Sequence, residues 1–311
     1  MRYAVISDIH GNVYALKAVL ADAIEQNIDR YILLGDYAIG FPLGNEAVDI
    51  LRNLSNSHCI RGNGEGYFDS IKGSEPDGCI FEQLKPIYWA YNTMSFENHK
   101  FLMSLPKTLI LKDEDLLIHV SHSSDIFYRN PSIGLFHPKN FNEIMKWEPF
   151  THEEYLVKAK EALLASSEVI DDILSLQKGV YLFGHNHLQF HMEYEGRLFI
   201  NPGSCGEPLN WDTAATYTIL EIKKGRAEVI ERRVEYDLDK TIDSLYQSGY
   251  SNYAPVWSKL MEKEIGTGVC YFSLFILHLS AIAKKHGLRE FPVSNEVWLQ
   301  AVKTWDICSS L

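Results

Sequence analysis

The 311-residue chain is poor in cysteine, short of positive charge and without an apolar run of membrane-spanning length. Its five cysteines, Cys59, Cys79, Cys205, Cys270 and Cys308, are an odd number, and none form a C-x-x-C pair. That excludes a disulfide framework or a zinc ribbon as the organising device and makes the reducing cytosol the expected setting. The longest apolar stretch, residues 269–283, is interrupted by Ser273, His278 and Ser280. It falls short of the ~20 residues of a membrane span and reads as a buried helix. No basic segment followed by an apolar one opens the chain, so neither a signal peptide nor membrane association is expected. Lysine and arginine total 29 against 41 acidic residues, a net charge of −12. Such a surface repels polyanionic chains and argues against broad nucleic-acid binding. A small phosphate ester held by metal ions stays compatible, because the metals bring their own charge. Internal repeats and low-complexity linkers are also missing.

What is present is ordinary globular composition, 46% apolar and 23% charged, long enough for a core without staples. Apolar runs at residues 2–7, 31–34 and 57–60 read as strands. Helical periodicity lies at 13–26, with Asn12 as N-cap, and at 45–53. The first 65 residues thus read β-α-β-α-β, with strands apolar on both faces, as in a covered parallel sheet. Helices are expected at 81–92, 96–105 and 153–166, and strands at 109–112, 116–120 and 180–183. Residues 189–234 are strand-rich, and helices follow from Asp237 to the end. Residues 121–149, rich in Pro, Asn, Ser and His, lack a period and read as a long loop, a lid or wall that selects substrate.

The chemistry-bearing side chains cluster at strand ends. Asp8 and His10 follow the first strand, Asp36 the second and Asn63 the third. His119 lies near the end of a later strand, and His185 and His187 follow another. Ligand sites in open α/β sheets lie beyond the carboxyl ends of strands, and Gly35, Gly62 and Gly184 let the backbone turn there. Imidazole, carboxylate and amide oxygen without thiolate suit Mn, Fe or Zn in a reactive rather than a structural site. Seven ligands exceed what one ion uses; two ions roughly 3.5–4 Å apart sharing a carboxylate would use them.

In order, these segments are Ser7-Asp8-Ile9-His10-Gly11-Asn12, Leu34-Gly35-Asp36, Arg61-Gly62-Asn63-Gly64-Glu65, Leu117-Ile118-His119 and Gly184-His185-Asn186-His187. The set resembles the calcineurin-like metallophosphoesterase superfamily. Asn201-Pro202-Gly203-Ser204 and the helix-opening Tyr236-Asp237 are similar to its small bacterial phosphodiesterase branch. The resemblance covers about residues 1–250. It implies a four-layer α-β-β-α sandwich. Residues 251–311 lie beyond the resemblance and read from their own pattern as a C-terminal helical extension that packs on the sandwich or forms a homo-oligomer interface. The resemblance further implies one metal held by Asp8, His10, Asp36 and His187 and a second by Asp36, Asn63, His119 and His185, with a metal-bridging hydroxide attacking a phosphodiester or phosphoanhydride of a small molecule. His185 and Asn63 would also act on the reacting phosphoryl group.

Two departures from the family pattern matter. The position after Gly62-Asn63 is Gly64, where relatives often carry a histidine that assists the leaving group. Without that donor a poor alkoxide is hard to expel, which favours phosphodiesters, anhydrides or aryl esters. After His119 comes Val120-Ser121-His122 rather than glycine, which makes His122 a candidate acid or substrate contact. Asn12, Arg61 and Arg129 are the candidate substrate-binding residues, Glu65 is a candidate for orienting a ligand histidine, and His191 reads as structural. The competing readings are a phosphomonoesterase, for which His122 or a loop residue would be the acid, and a non-catalytic scaffold that retains its metal site.

Overall fold

The computed structural model describes residues 1–73, 81–128, 151–209, 211–288 and 292–305. The expected β-α-β-α-β start is present: β1 (Arg2–Ile6), α1 (Val13–Glu25), β2 (Arg30–Leu33), α2 (Gly44–Arg52) and β3 (Ser57–Cys59). Three helices follow, α3 (Asn63–Ile71), α4 (Lys85–Thr93) and α5 (Phe96–Ser104). The second half of the sandwich contains β4 (Thr108–Asp113), β5 (Leu116–Ser121), the short α6 (Asp125–Tyr128), α7 (His152–Leu164), α8 (Ser167–Ser175), β6 (Gly179–Leu182), β7 (Gln189–Tyr194) and β8 (Arg197–Pro202). The long hairpin β9 (Ala215–Lys223) and β10 (Arg226–Val234) returns to the first sheet. The chain ends in α9 (Leu238–Gln247), α10 (Tyr250–Tyr253), α11 (Pro255–Thr267), α12 (Tyr271–Lys285) and α13 (Asn295–Thr304).

The strands form two mixed sheets, ordered β10-β9-β1-β2-β3 and β4-β5-β6-β8-β7. In the first, β1, β2 and β3 are parallel and β9 runs antiparallel to β1. In the second, β5, β6 and β8 are parallel and β4 and β7 are antiparallel edges. Side-chain alternation explains why β1 is apolar throughout. Tyr3 and Val5 face Ile118, Val180 and Ile200 of the opposite sheet, while Ala4 and Ile6 face Leu16 and Val19 of α1. On the far side, Phe190 and Phe199 of the second sheet pack against Tyr155, Leu163 and Ile173 of α7 and α8. Helices, sheet, sheet and helices therefore make the expected four layers.

A separate apolar cluster joins the C-terminal helices. Leu260, Phe275, Leu279 and Trp298 pack with Phe41 and, at its margin, Trp89 of the sandwich. Among the described residues no helix is long and apolar enough to cross a membrane. Of the proposed substrate-selecting loop, Ser121–Tyr128 is described and ends in a turn of helix; Arg129 and the rest of that loop lie outside the described residues.

Candidate metal centre

The site lies where the carboxyl ends of β1, β2 and β3 meet those of β5 and β6 across the sandwich. The turns after β1 and β2 are zipped together: the backbone N–H groups of Asp8, His10 and Gly11 donate to the carbonyls of Gly35, Asp36 and Tyr37 at 3.1, 3.0 and 2.8 Å. Asp8, His10, Asp36, His185 and His187 all adopt left-handed φ values between 52° and 73°. For residues other than glycine that conformation costs on the order of 1–3 kcal/mol each and concentrates at functional sites. Close approach also fixes the glycines. A Cβ on Gly62 would stand 2.0 Å from Asp36 Oδ1, and one on Gly184 2.0 Å from Ser7 Oγ and 2.5 Å from Asp8 Oδ2.

Two groups of side chains converge: Asp8, His10 and His187, and Asp36, His122 and His185, each with its ligand atoms within 4.8 Å of one another. A carbonyl oxygen can only accept, so the ring tautomers follow from geometry. His10 Nδ1–H donates to Ile39 O (2.5 Å) and His187 Nδ1–H to Glu207 O (3.0 Å). Their Nε2 lone pairs then face each other at 3.2 Å, and both face Asp8 Oδ1, at 3.8 and 3.4 Å. That oxygen is fully buried and has no hydrogen-bond partner. In the second group His122 Nδ1–H donates to Leu34 O (2.8 Å), which turns its Nε2 lone pair on Asn63 Oδ1 (2.9 Å) and Asp36 Oδ2 (3.4 Å). Acceptors confronting acceptors in a buried place call for positive charge between them, either a proton on an imidazole or a metal ion. Two metal ions therefore fit these residues.

The electrostatics agree. Burial alone would raise Asp8, but His187 and then His10 hold its carboxyl well below the usual range. Burial would lower His122, but Asp36 raises its imidazole to about 10, so in the absence of an ion a proton takes the place on Nε2 that a metal ion would take. His185 is pushed down to about 4 by burial and by His122, which leaves it neutral, the form that ligates metal.

Sequence and structure part over His119. Along β5, Ile118 and Val120 are buried between the sheets, so His119 leaves by the opposite face. There its ring stacks on Tyr181 (centroids 4.6 Å apart, planes 5° apart) instead of joining the cluster. The imidazole in the second triad is His122, beyond the strand end, and both its ring nitrogens are engaged, which leaves no free N–H for acid duty. Asn12 does not face the site either: Oδ1 caps α1 through Ala15 N (3.1 Å) and Nδ2 donates to Gly206 O (2.9 Å). Arg61 turns to Asp69, 3.4 Å away. Glu65 orients backbone rather than a histidine, accepting from the N–H groups of Asp36, Tyr37 and Gly62 at 3.0, 2.8 and 2.8 Å. His191 pairs with Glu231 at 2.8 Å, a structural contact. The Asn201–Ser204 segment buckles the site from behind: Asn201 Nδ2 donates to Gly184 O (3.0 Å) and Ser204 Oγ to Asp8 O (2.7 Å).

Sequence reasoning missed Glu207 and the C-terminal helices as parts of the site. A cavity of about 700 Å³ opens from His10, Asp36, Asn63, His185 and His187 and is bounded by Glu207, α11 and α12. Glu207 carries a local signal: it follows the Asn201–Ser204 segment by three residues, and its N–H donates to Ser204 Oγ (2.7 Å). Periodicity holds no such signal for the helices.

The chain is 29% identical over 273 residues to the uncharacterized protein MJ0912 of Methanocaldococcus jannaschii, an alignment covering 82% of this chain and 94% of that one. Among solved structures it resembles a metallophosphoesterase from Sphaerobacter thermophilus, with a TM-score of 0.58, 24% identity and coverage of 86% of this chain and 100% of that one. The hypothetical protein PH1004 of Pyrococcus horikoshii OT3 aligns with a TM-score of 0.57 and 19% identity over 84% of this chain and 97% of that one. Both structures share the fold. The model of the calcineurin-like phosphoesterase superfamily domain matches residues 1–225, and with its ordered Asp, His and Asn segments gathered at one seam of the sandwich, the chain belongs to that superfamily.

Proposed function

We propose that the protein is a metal-dependent hydrolase of a small-molecule phosphodiester or phosphoanhydride. One observation carries this reading: buried or half-buried carboxylates and imidazoles converge in two triads, with Asp8 Oδ1 unpartnered. Two ions, with Mn, Fe or Zn suited to imidazole and carboxylate donors, would supply the charge that lowers the pKa of water and offsets charge on phosphoryl oxygens. The chain's own residues do the remaining work. Ile39 O, Leu34 O and Glu207 O hold the three imidazoles with Nε2 turned inward. Asp36 is aimed by the Gly64 N–H, which donates to its Oδ1 at 2.7 Å. Neutral His185 and Asn63 border the cavity where substrate would sit.

The preference for diesters and anhydrides rests on proton supply. Position 64 offers only a backbone N–H, already given to Asp36, and His122 has both ring nitrogens engaged. Neither residue can protonate a departing alkoxide, so leaving groups stable as anions are favoured.

Metal-loaded protein should hold close to two transition-metal ions per chain by elemental analysis. It should hydrolyse bis(p-nitrophenyl) phosphate faster than an alkyl phosphomonoester, and Asp36→Asn should remove most of that activity. A strong preference for alkyl monoesters, or no stoichiometric metal with every ligand in place, would overturn the reading.

A further inference from the structure

The cavity is far larger than a phosphate group needs. At about 700 Å³ it falls in the range that holds a drug-sized organic molecule. Its floor is the metal centre, and its walls are mostly apolar. Leu84 and Ile87 stand on the sandwich side, and Trp257, Met261, Phe272 and Ile276 on the C-terminal helices. Trp257 and Phe272 stack with centroids 4.8 Å apart and planes 28° apart. The polar atoms of this wall are largely turned to the protein: Trp257 Nε1 donates to Glu82 O (3.2 Å), Glu264 Oε1 accepts from Phe272 N (2.8 Å), and Cys270 Sγ donates to Ser273 Oγ (3.0 Å). The acidic residues added to the lining beyond the metal-centre residues are Glu207 and the buried Glu264, and among the described lining residues there is no lysine or arginine. A second anionic group on the substrate would meet Glu207 there and find no described lysine or arginine to pair with.

We infer that the phosphoester taken by this site carries an uncharged apolar group, seated against Trp257, Phe272 and Ile276 with the phosphoryl group over the metal centre. The inference rests on the phosphoester reading above and assigns the C-terminal helices the task of selecting substrate. Metals are generic toward phosphoryl oxygens, so selectivity has to come from what touches the rest of the molecule.

The test separates binding from chemistry. Metal-loaded full-length protein is titrated calorimetrically with 1-naphthylmethylphosphonate and with methylphosphonate, which share a head group and differ in apolar area. The naphthyl probe should bind roughly tenfold tighter or more. Ile276→Trp, which fills the cavity from α12, should bring the ratio of the two affinities close to one. Ile87→Trp does the same from the opposite wall should the first variant fail to fold. In parallel, p-nitrophenyl phenyl phosphate and p-nitrophenyl methyl phosphate, which share a leaving group, are compared by kcat/KM; the phenyl ester should lead. Equal affinities, binding of neither probe, or a preference that survives filling the cavity overturns the apolar subsite. A naphthyl preference abolished by filling, without turnover of either diester, upholds the subsite and defeats the hydrolase reading. Turnover of both diesters at equal kcat/KM with equal phosphonate affinities defeats the subsite and leaves the hydrolase.

Discussion

His119 and His122 are three residues apart, and strand parity decides between them. Within β5 every second side chain enters the space between the sheets, and that register belongs to Ile118 and Val120. His119 is forced to the outer face beside Tyr181. His122 lies past the last paired residue, Ser121, where the chain is free to turn and aim a ring inward. Removing each ring should therefore have opposite consequences. His122→Ala should retain fewer than two metal ions per chain after dialysis and lose activity by about a hundredfold or more, since even groups that merely orient metal ligands are worth 10–100-fold. His119→Ala should keep the metal content and turnover of the unmodified protein. Elemental analysis beside a diester assay decides, and the reverse result would return His119 to the ligand set.

At the scale of elements, legibility followed the physics of burial. β1 and β2 were readable because both faces are covered, which writes an unbroken apolar run into the sequence. The turns after them were readable because glycine and chemistry-bearing residues coincide there. α3 was not: Asn63–Ile71 is nine residues long with glycines at 64 and 66, too short and too broken for a period. α12 was legible as a buried helix, while its place above the metal centre was not, because that depends on contacts between residues far apart in sequence. One such contact has a pH signature. Glu264, near the end of α11, is buried against α12; burial and then the charge of Glu207 raise its carboxyl from 4.5 to about 8. The folded chain then holds a proton that the unfolded chain releases at ordinary carboxylate pH. Its contribution to stability is full below about pH 4.5 and is lost as pH rises through about 8. Glu264→Gln keeps an acceptor for Phe272 N and removes the titration. Thermal melts from pH 5 to pH 8 should therefore fall less steeply for the variant; parallel slopes would show that the carboxyl is not held protonated.

For the whole molecule, the net charge of −12 surrounds a centre built to attract anions. Two divalent ions would still leave the chain negative. An approaching phosphodiester therefore meets a repulsive far field before the local attraction of the metals, and the two act over different lengths. The far field is screened beyond a Debye length of about 10 Å at 0.1 M salt, whereas contacts inside the buried centre are screened much less. Raising salt should relieve the repulsion and largely spare the attraction. A basic phosphoesterase would behave oppositely, losing attraction to its substrate as salt rises. For this chain, kcat/KM toward an anionic diester should rise a few-fold between about 20 and about 300 mM of a non-coordinating salt, through KM with kcat nearly constant. A neutral phosphotriester of similar size, which feels no far field, should show no such slope. A fall in kcat/KM with salt for the anionic diester would mean that the field at the cavity mouth is positive despite the net charge, and that substrate is drawn in by a local surface rather than admitted against the whole.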